Sequence, residues 1–195
     1  MSTSEAREFV FTSESVSEGH PDKVCDLIAD SILDAHLAGD KDARVACEVL
    51  CKGGDVVLAG EITSRATVDA SRIAREAIRR IGYTDPYAPF NADGVAIQEL
   101  ISLQATEIGI AVGGASKKER PQGAGDQGLM FGYATDETPE RMPLPILLAH
   151  RLSAQLAKDR HVGRVAWLRP DAKTQVSVRY REGRPVRVET VLVST

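Results

Sequence analysis

The sequence predicts an α+β protein in which β-hairpins and mixed sheets are backed by helices. Two observations carry that expectation. Apolar residues alternate over 44–51 and 55–64 on either side of Lys52-Gly53-Gly54, and β-rich runs over 174–181 and 184–193 flank Glu182-Gly183. Segments with apolar residues three and four apart, at 21–37, 69–81 and 143–160, adjoin these hairpins. Helix, hairpin and helix occupy 21–81, and helix and hairpin recur over 143–195, where the last strand is expected to lack the helix that would cover it.

Each element has a local reason. Phe9-Val10-Phe11 is a short apolar run, and Thr12 to Gly19, rich in Ser and Glu, reads as loop. Pro21 suits the first turn of a helix, and Asp22 suits the positive end of its dipole. Along that helix Val24, Leu27, Ile28, Ser31 and Ala35 form one face, Asp26, Asp30 and Asp34 a solvated ridge, and Gly39 the stop. A two-residue Gly53-Gly54 turn opposes Val45 with Ile62 and Cys51 with Val56. Val45, Cys47, Val49 and Cys51 then share an apolar face with Val56, Leu58, Gly60 and Ile62. On the other face Glu48 and Glu61 are diagonal neighbours among Ala46, Leu50, Val57 and Ala59, so that face too is expected to be covered. Asp69 can cap the next helix, with Ile73, Ala77, Ile78 and Ile81 inward, Arg72, Arg75 and Arg79 outward in solvent, and Gly82 at its end. Residues 83–93 read as loop, 95–103 and 129–134 as strands, and 143–160 as a helix with Leu148, Leu152 and Leu156 inward. The glycine-rich stretch 104–128 reads as a long loop of the kind that forms active-site lids.

Composition bounds the function. With 195 residues, 43% hydrophobic residues and a net charge of -4, the chain is an ordinary globular one. A sequence pI near 5.6 argues against a dedicated nucleic-acid binder, so an anionic ligand must be met by a local cluster. Cys25, Cys47 and Cys51 lack the spacing of a zinc or redox motif, and Cys47 and Cys51, roughly 13 Å apart if on one strand, cannot bridge. Reduced thiols and an N-terminus without a long apolar run point to a cytoplasmic protein without a membrane anchor.

Four clusters could carry chemistry. Gly19-His20-Pro21-Asp22-Lys23 opens a helix, where free amides attract phosphate oxygens, His20 can donate to a developing anion, Asp22 can hold Mg²⁺ and Lys23 adds charge. The plain alternative is a helix cap. Gly123-Ala124-Gly125-Asp126-Gln127-Gly128 lets backbone approach a ligand beside a carboxylate, but is neither a P-loop nor a dinucleotide fingerprint. Asp171-Ala172-Lys173 brings an acid and an amine together before a strand; the plain alternative is an exposed ion pair worth little. The Glu48/Glu61 pair could hold a cation or an amine, or be satisfied by arginines. Together they suit a metal-bound polyphosphate and an ammonium-bearing partner.

Three long motifs in order, Phe11-Thr12-Ser13-Glu14-Ser15-Val16-Ser17-Glu18-Gly19-His20-Pro21-Asp22-Lys23, Gly123 to Ala134, and Trp167-Leu168-Arg169-Pro170-Asp171-Ala172-Lys173, resemble S-adenosylmethionine synthetase (methionine adenosyltransferase). The resemblance extends to Gly60-Glu61-Ile62-Thr63 and to Val191 to Thr195. It implies repeated αββ units, with an N-terminal domain at 1–128 and the start of a central domain at 129–195. The implied reaction is attack of methionine sulfur on C5′ of ATP with release of intact tripolyphosphate, which is then hydrolysed to diphosphate and phosphate. The implied roles are His20 at the triphosphate leaving group, Asp171, Ala172 and Lys173 on ATP, Asp22 on Mg²⁺, Glu48 at a K⁺ site, and Glu61, Gln104 and Asp126 near methionine. Mg²⁺, two per site, and K⁺ are the implied cofactors. A gating loop is implied from Gln104 to about Gly114, although Ala105 onward departs from the family's usual Ser-Pro-Asp-Ile-like start.

The implied unit is a homodimer or homotetramer with active sites between subunits. The family chain is roughly twice as long, and its later half supplies an adenine-stacking aromatic, further lysines, an arginine and another Mg²⁺ carboxylate. A chain of these 195 residues alone is therefore expected to be impaired. The rivals are a non-catalytic module that binds a full-length synthetase subunit or nucleotide, and a metal-dependent phosphohydrolase acting through Asp22, Glu48 and His20.

Overall fold

The computed structural model describes residues 7–103 and 129–195, which form two compact units that each draw on separated stretches of chain. One unit gathers the N-terminal strand, residues 81–83 and everything from Tyr133 onward; the other holds Cys25–Arg80 and Thr84–Gly132. In chain order the elements are β1 (Glu8–Val16), α1 (Pro21–Gly39), β2 (Arg44–Lys52), β3 (Asp55–Thr63), α2 (Ala70–Ile81), β4 (Ala96–Ser102), α3 (Leu144–His161), β5 (Lys173–Arg181) and β6 (Arg184–Ser194). The α+β expectation holds: among the described residues two three-stranded sheets, β1-β5-β6 and β2-β3-β4, accompany three helices.

In the second unit the β2–β3 hairpin adopts the register its Gly53-Gly54 turn dictates, with Val45 opposite Ile62 and Cys51 opposite Val56. Gly53 takes the left-handed conformation such a tight turn requires, with φ of 59°. Chain reversal through α2 then lays β4 parallel to β3, a pairing that needs a crossover. Val56, Leu58 and Ile62 are buried on one side of the sheet, and Ile73, Ala74, Ala77, Ile78 and Ile81 along one stripe of α2. Asp69 caps α2 through the Arg72 amide at 2.9 Å, and Gly82, with φ of 111°, ends it. Arg75 corrects the expectation of a solvated arginine face. Its guanidinium donates to the carbonyls of Ala92, Asp93 and Val95 at 2.9–3.1 Å, tying α2 to the turn before β4.

The opposite side of this sheet also departs from expectation. Leu50 and Leu100 are 63% and 54% exposed, and Ala46 and Glu48 are exposed with them. The alternation that buries Val56 and Leu58 leaves their neighbours outward, and no described element of this unit covers them.

In the first unit the apolar run Phe9-Val10-Phe11 lies in a strand that extends to Val16, into the stretch expected as loop. Thr12 to Val16 look like loop because they lack apolar alternation, but β5 pairs with them throughout, from Glu8 opposite Arg181 to Val16 opposite Lys173. α3 packs on this sheet, with Ala149, Val176, Val178 and Tyr180 buried and Leu144, Leu148 and Leu152 against them. Phe9 stacks on Tyr180 with ring centroids 5.1 Å apart. Burial and a hydrogen bond to Glu137 raise the Tyr180 phenol above its ordinary value. β5 and β6 turn through Glu182 and Gly183, both at positive φ, as a two-residue hairpin with right-handed twist requires. Residues 129–134, expected as a strand, form none; Leu129, Met130 and Phe131 are exposed without ladder partners. On α1, which from Cys25 onward belongs to the second unit, the buried positions are Val24, Ile28, Ile32 and His36, spaced by four, while Asp26, Asp30 and Asp34 stay exposed.

Candidate functional site

Two of the sequence clusters, some 150 residues apart in the chain, are joined in the first unit. Ser17 is 5% exposed, and its hydroxyl donates to the Pro170 carbonyl at 2.6 Å while accepting from the Ala172 amide at 2.7 Å. The Ser17 amide donates to the Ala172 carbonyl at 2.8 Å, and the Gly19 amide to the Pro170 carbonyl at 3.2 Å. One hydroxyl can serve as donor and acceptor at once, and Ser17 does both. The other flank of the loop is held by the Tyr83 hydroxyl, which donates to the Gly19 carbonyl at 2.5 Å. Arg160, at the end of α3, donates to Glu18 at 2.5 Å and to the Ile81 carbonyl at 2.6 Å.

These bonds set out the side chains that follow. The His20 carbonyl accepts from the Val24 amide at 2.9 Å, and the ring Nδ1 lies 3.3 Å from the Asp22 amide and 3.8 Å from the Asp22 carboxylate. The Asp22 amide is a donor, so Nδ1 accepts in this arrangement and Nε2 is the ring nitrogen left to donate. Asp22 occupies the first turn of α1, where a carboxylate complements the helix dipole. The Lys23 ammonium donates to the Val16 carbonyl at 2.8 Å, and Lys173 starts β5 opposite that same Val16. Ala172 is buried, Asp171 and Lys173 are exposed.

Asp22 fits a Mg²⁺ ligand in one respect: its side chain is 89% exposed, leaving oxygens for a metal that takes one or two carboxylates and completes its shell with water and substrate phosphates. Among the described residues no group of three or more His, Cys, Asp or Glu forms a self-sufficient metal cage. Glu48 and Glu61 belong to the second unit, on neighbouring strands, Glu48 opposite Ala59 and Glu61 opposite Ala46. Both sit on the face that carries Leu50 and Leu100, Glu48 exposed and Glu61 half-buried. Gln104, Asp126, the glycine-rich run 123–128 and the segment from Gln104 to Gly114 lie outside the described residues.

Sequence reasoning did not single out Ser17, Glu18, Tyr83 or Arg160. A Ser in a polar run gives no signal until its partners are known, and Pro170 and Ala172 come into range only through the β1–β5 pairing. Gly19 carried a signal: a residue without a side chain just before a helix marks a close backbone approach.

The fold and this junction define an α+β protein whose first helix opens on a loop locked to the start of a distant strand. Comparison with known families makes the assignment specific. Residues 8–106 match S-adenosylmethionine synthetase, N-terminal domain, and residues 121–195 match S-adenosylmethionine synthetase, central domain. The chain belongs to the S-adenosylmethionine synthetase family.

Proposed function

We propose that the chain serves methionine adenosyltransferase chemistry: ATP, L-methionine and water give S-adenosylmethionine, phosphate and diphosphate through intact tripolyphosphate. The observation that carries this reading is the bonding of residues 17–19 to 170–172, because it fixes the backbone on which His20 and Lys173 follow. In the first step a sulfur lone pair forms the S–C5′ bond, and the C5′–O bond breaks with its electrons on the triphosphate. No protein nucleophile is needed. Catalysis then rests on positioning and on charge placed where the leaving oxygen becomes anionic.

His20, through Nε2, would donate to that oxygen, and Lys173 would meet the phosphates alongside Asp171 and Ala172 on ATP. Asp22 would hold Mg²⁺, which when bound neutralises polyphosphate charge. Glu48 would be the K⁺ carboxylate, and Glu61, with Gln104 and Asp126, would receive methionine. The same reading makes 1–128 and 129–195 the N-terminal domain and the start of the central one.

The outward side of the β2-β3-β4 sheet, with Leu50 and Leu100 exposed, supports a homodimer or homotetramer, or pairing with a full-length synthetase subunit. No helix among the described residues is long and apolar enough to cross a membrane, and the proposed location is the cytoplasm. A chain of these 195 residues alone is proposed to turn over poorly, the family's later half carrying further ATP contacts. The test is product analysis with ATP, methionine, Mg²⁺ and K⁺, with and without a full-length family member. S-adenosylmethionine formed slowly alone and faster in the mixture supports the reading. Formation at a full-length rate by the chain alone contradicts the impairment, and phosphate release that ignores methionine contradicts the transferase.

A further inference from the structure

We propose that Ser17 is a positioning residue: it registers the His20 loop against the Asp171–Lys173 turn, so that the two present one surface to a polyphosphate. The inference rests on the adenosyltransferase reading for its ligand, but its geometry is independent of it. Three of the hydrogen bonds between the two segments use Ser17, through its amide, its hydroxyl proton and its hydroxyl lone pair. The Pro170 carbonyl accepts both the Ser17 hydroxyl and the Gly19 amide, so the two bonds share an anchor. Downstream of that anchor His20 follows Gly19, and Lys173 follows Ala172. Without the hydroxyl, the buried Ala172 amide loses its acceptor and the Pro170 carbonyl keeps only the longer Gly19 bond. A buried amide left unpaired is costly, so the turn must shift to find water. Ser17 itself need touch no substrate to have this effect.

Amide exchange by NMR on the 195-residue chain, together with tripolyphosphate titration followed on His20 and Lys173 signals, tests the proposal in Ser17→Ala. The expected result is that the Ala172 and Gly19 amides exchange about tenfold faster or more, and that tripolyphosphate binds about tenfold more weakly, the size one or two lost hydrogen bonds carry. The Val176 and Val178 amides, in the middle of β5, should stay within about twofold of wild type. Thr12→Ala, which removes a hydroxyl contact to Ser177 elsewhere in the same sheet, should leave the Gly19 amide and the His20 signals unchanged. Ser17→Cys, close in size and poorer in hydrogen bonding, should give the same pattern to a smaller degree, and it decides the matter if Ser17→Ala does not fold.

Uniform acceleration of all β5 amides, or a change confined to Ala172, would overturn the proposal. If the wild-type chain does not bind tripolyphosphate, the adenosyltransferase reading falls, while the exchange pattern still decides the role of Ser17.

Discussion

Gly19 meets Pro170 backbone to backbone: a β-carbon on Gly19 would stand 2.3 Å from the Pro170 carbonyl carbon, and the Gly19 amide donates to the Pro170 oxygen. Neither side of that contact is a flexible side-chain end. Gly19→Ala should therefore separate the His20 loop from the Asp171–Lys173 turn. It should destabilise the first unit by about 1–3 kcal/mol, the usual cost of forcing extra atoms into a packed site. Chemical denaturation measures this, and a stability loss below about 0.5 kcal/mol, the range of neutral surface changes, would show the contact to be slack.

How much of this was legible in the sequence depended on distance along the chain. The β2–β3 register followed from alternation and a Gly-Gly turn between adjacent strands, and the α2 cap from Asp69. The β1–β5 pairing was not legible, since Ser13, Glu14 and Ser15 offer no apolar pattern and their partners lie more than 150 residues on. His20, Asp22 and Asp171–Lys173 could be picked out as reactive types, but the joining of their segments could not, because the residue that joins them is an unremarkable serine.

Arg75 offers a test of the second unit. Its three carbonyl contacts satisfy the turn Ala92–Val95 from which β4 starts. Arg75→Met keeps much of the apolar stem and removes the donors. A loss of about 1–3 kcal/mol is expected by denaturation, with faster amide exchange concentrated in β4.

Asp40 supplies a pH signature. Its side chain is 5% exposed, and the Arg65 guanidinium at 2.7 Å and the Arg65 amide at 2.9 Å hold its carboxyl well below the ordinary value of 3.8. A depressed folded-state pKa contributes stability that is present above the unfolded value and lost as pH falls through the folded one. The Tm difference between wild type and Asp40→Asn should thus be largest above about pH 5 and shrink steadily below about pH 4. A difference independent of pH would mean that the ion pair adds nothing.

The exposed face of the β2-β3-β4 sheet predicts self-association. Leu50→Glu should shift the chain toward monomer in sedimentation velocity while changing Tm little, because the side chain is already 63% exposed. Unchanged sedimentation would remove this face as an interface.

The central claim is that the loop at His20 and the turn at Lys173 form one anion site, and calorimetric titration of the chain with Mg²⁺ and tripolyphosphate tests it most directly. The account predicts saturable binding, weakened about tenfold or more in Lys173→Met and in His20→Ala alike, as loss of a charged or hydrogen-bonding contact requires. Binding that is absent, or that neither substitution alters, would contradict it.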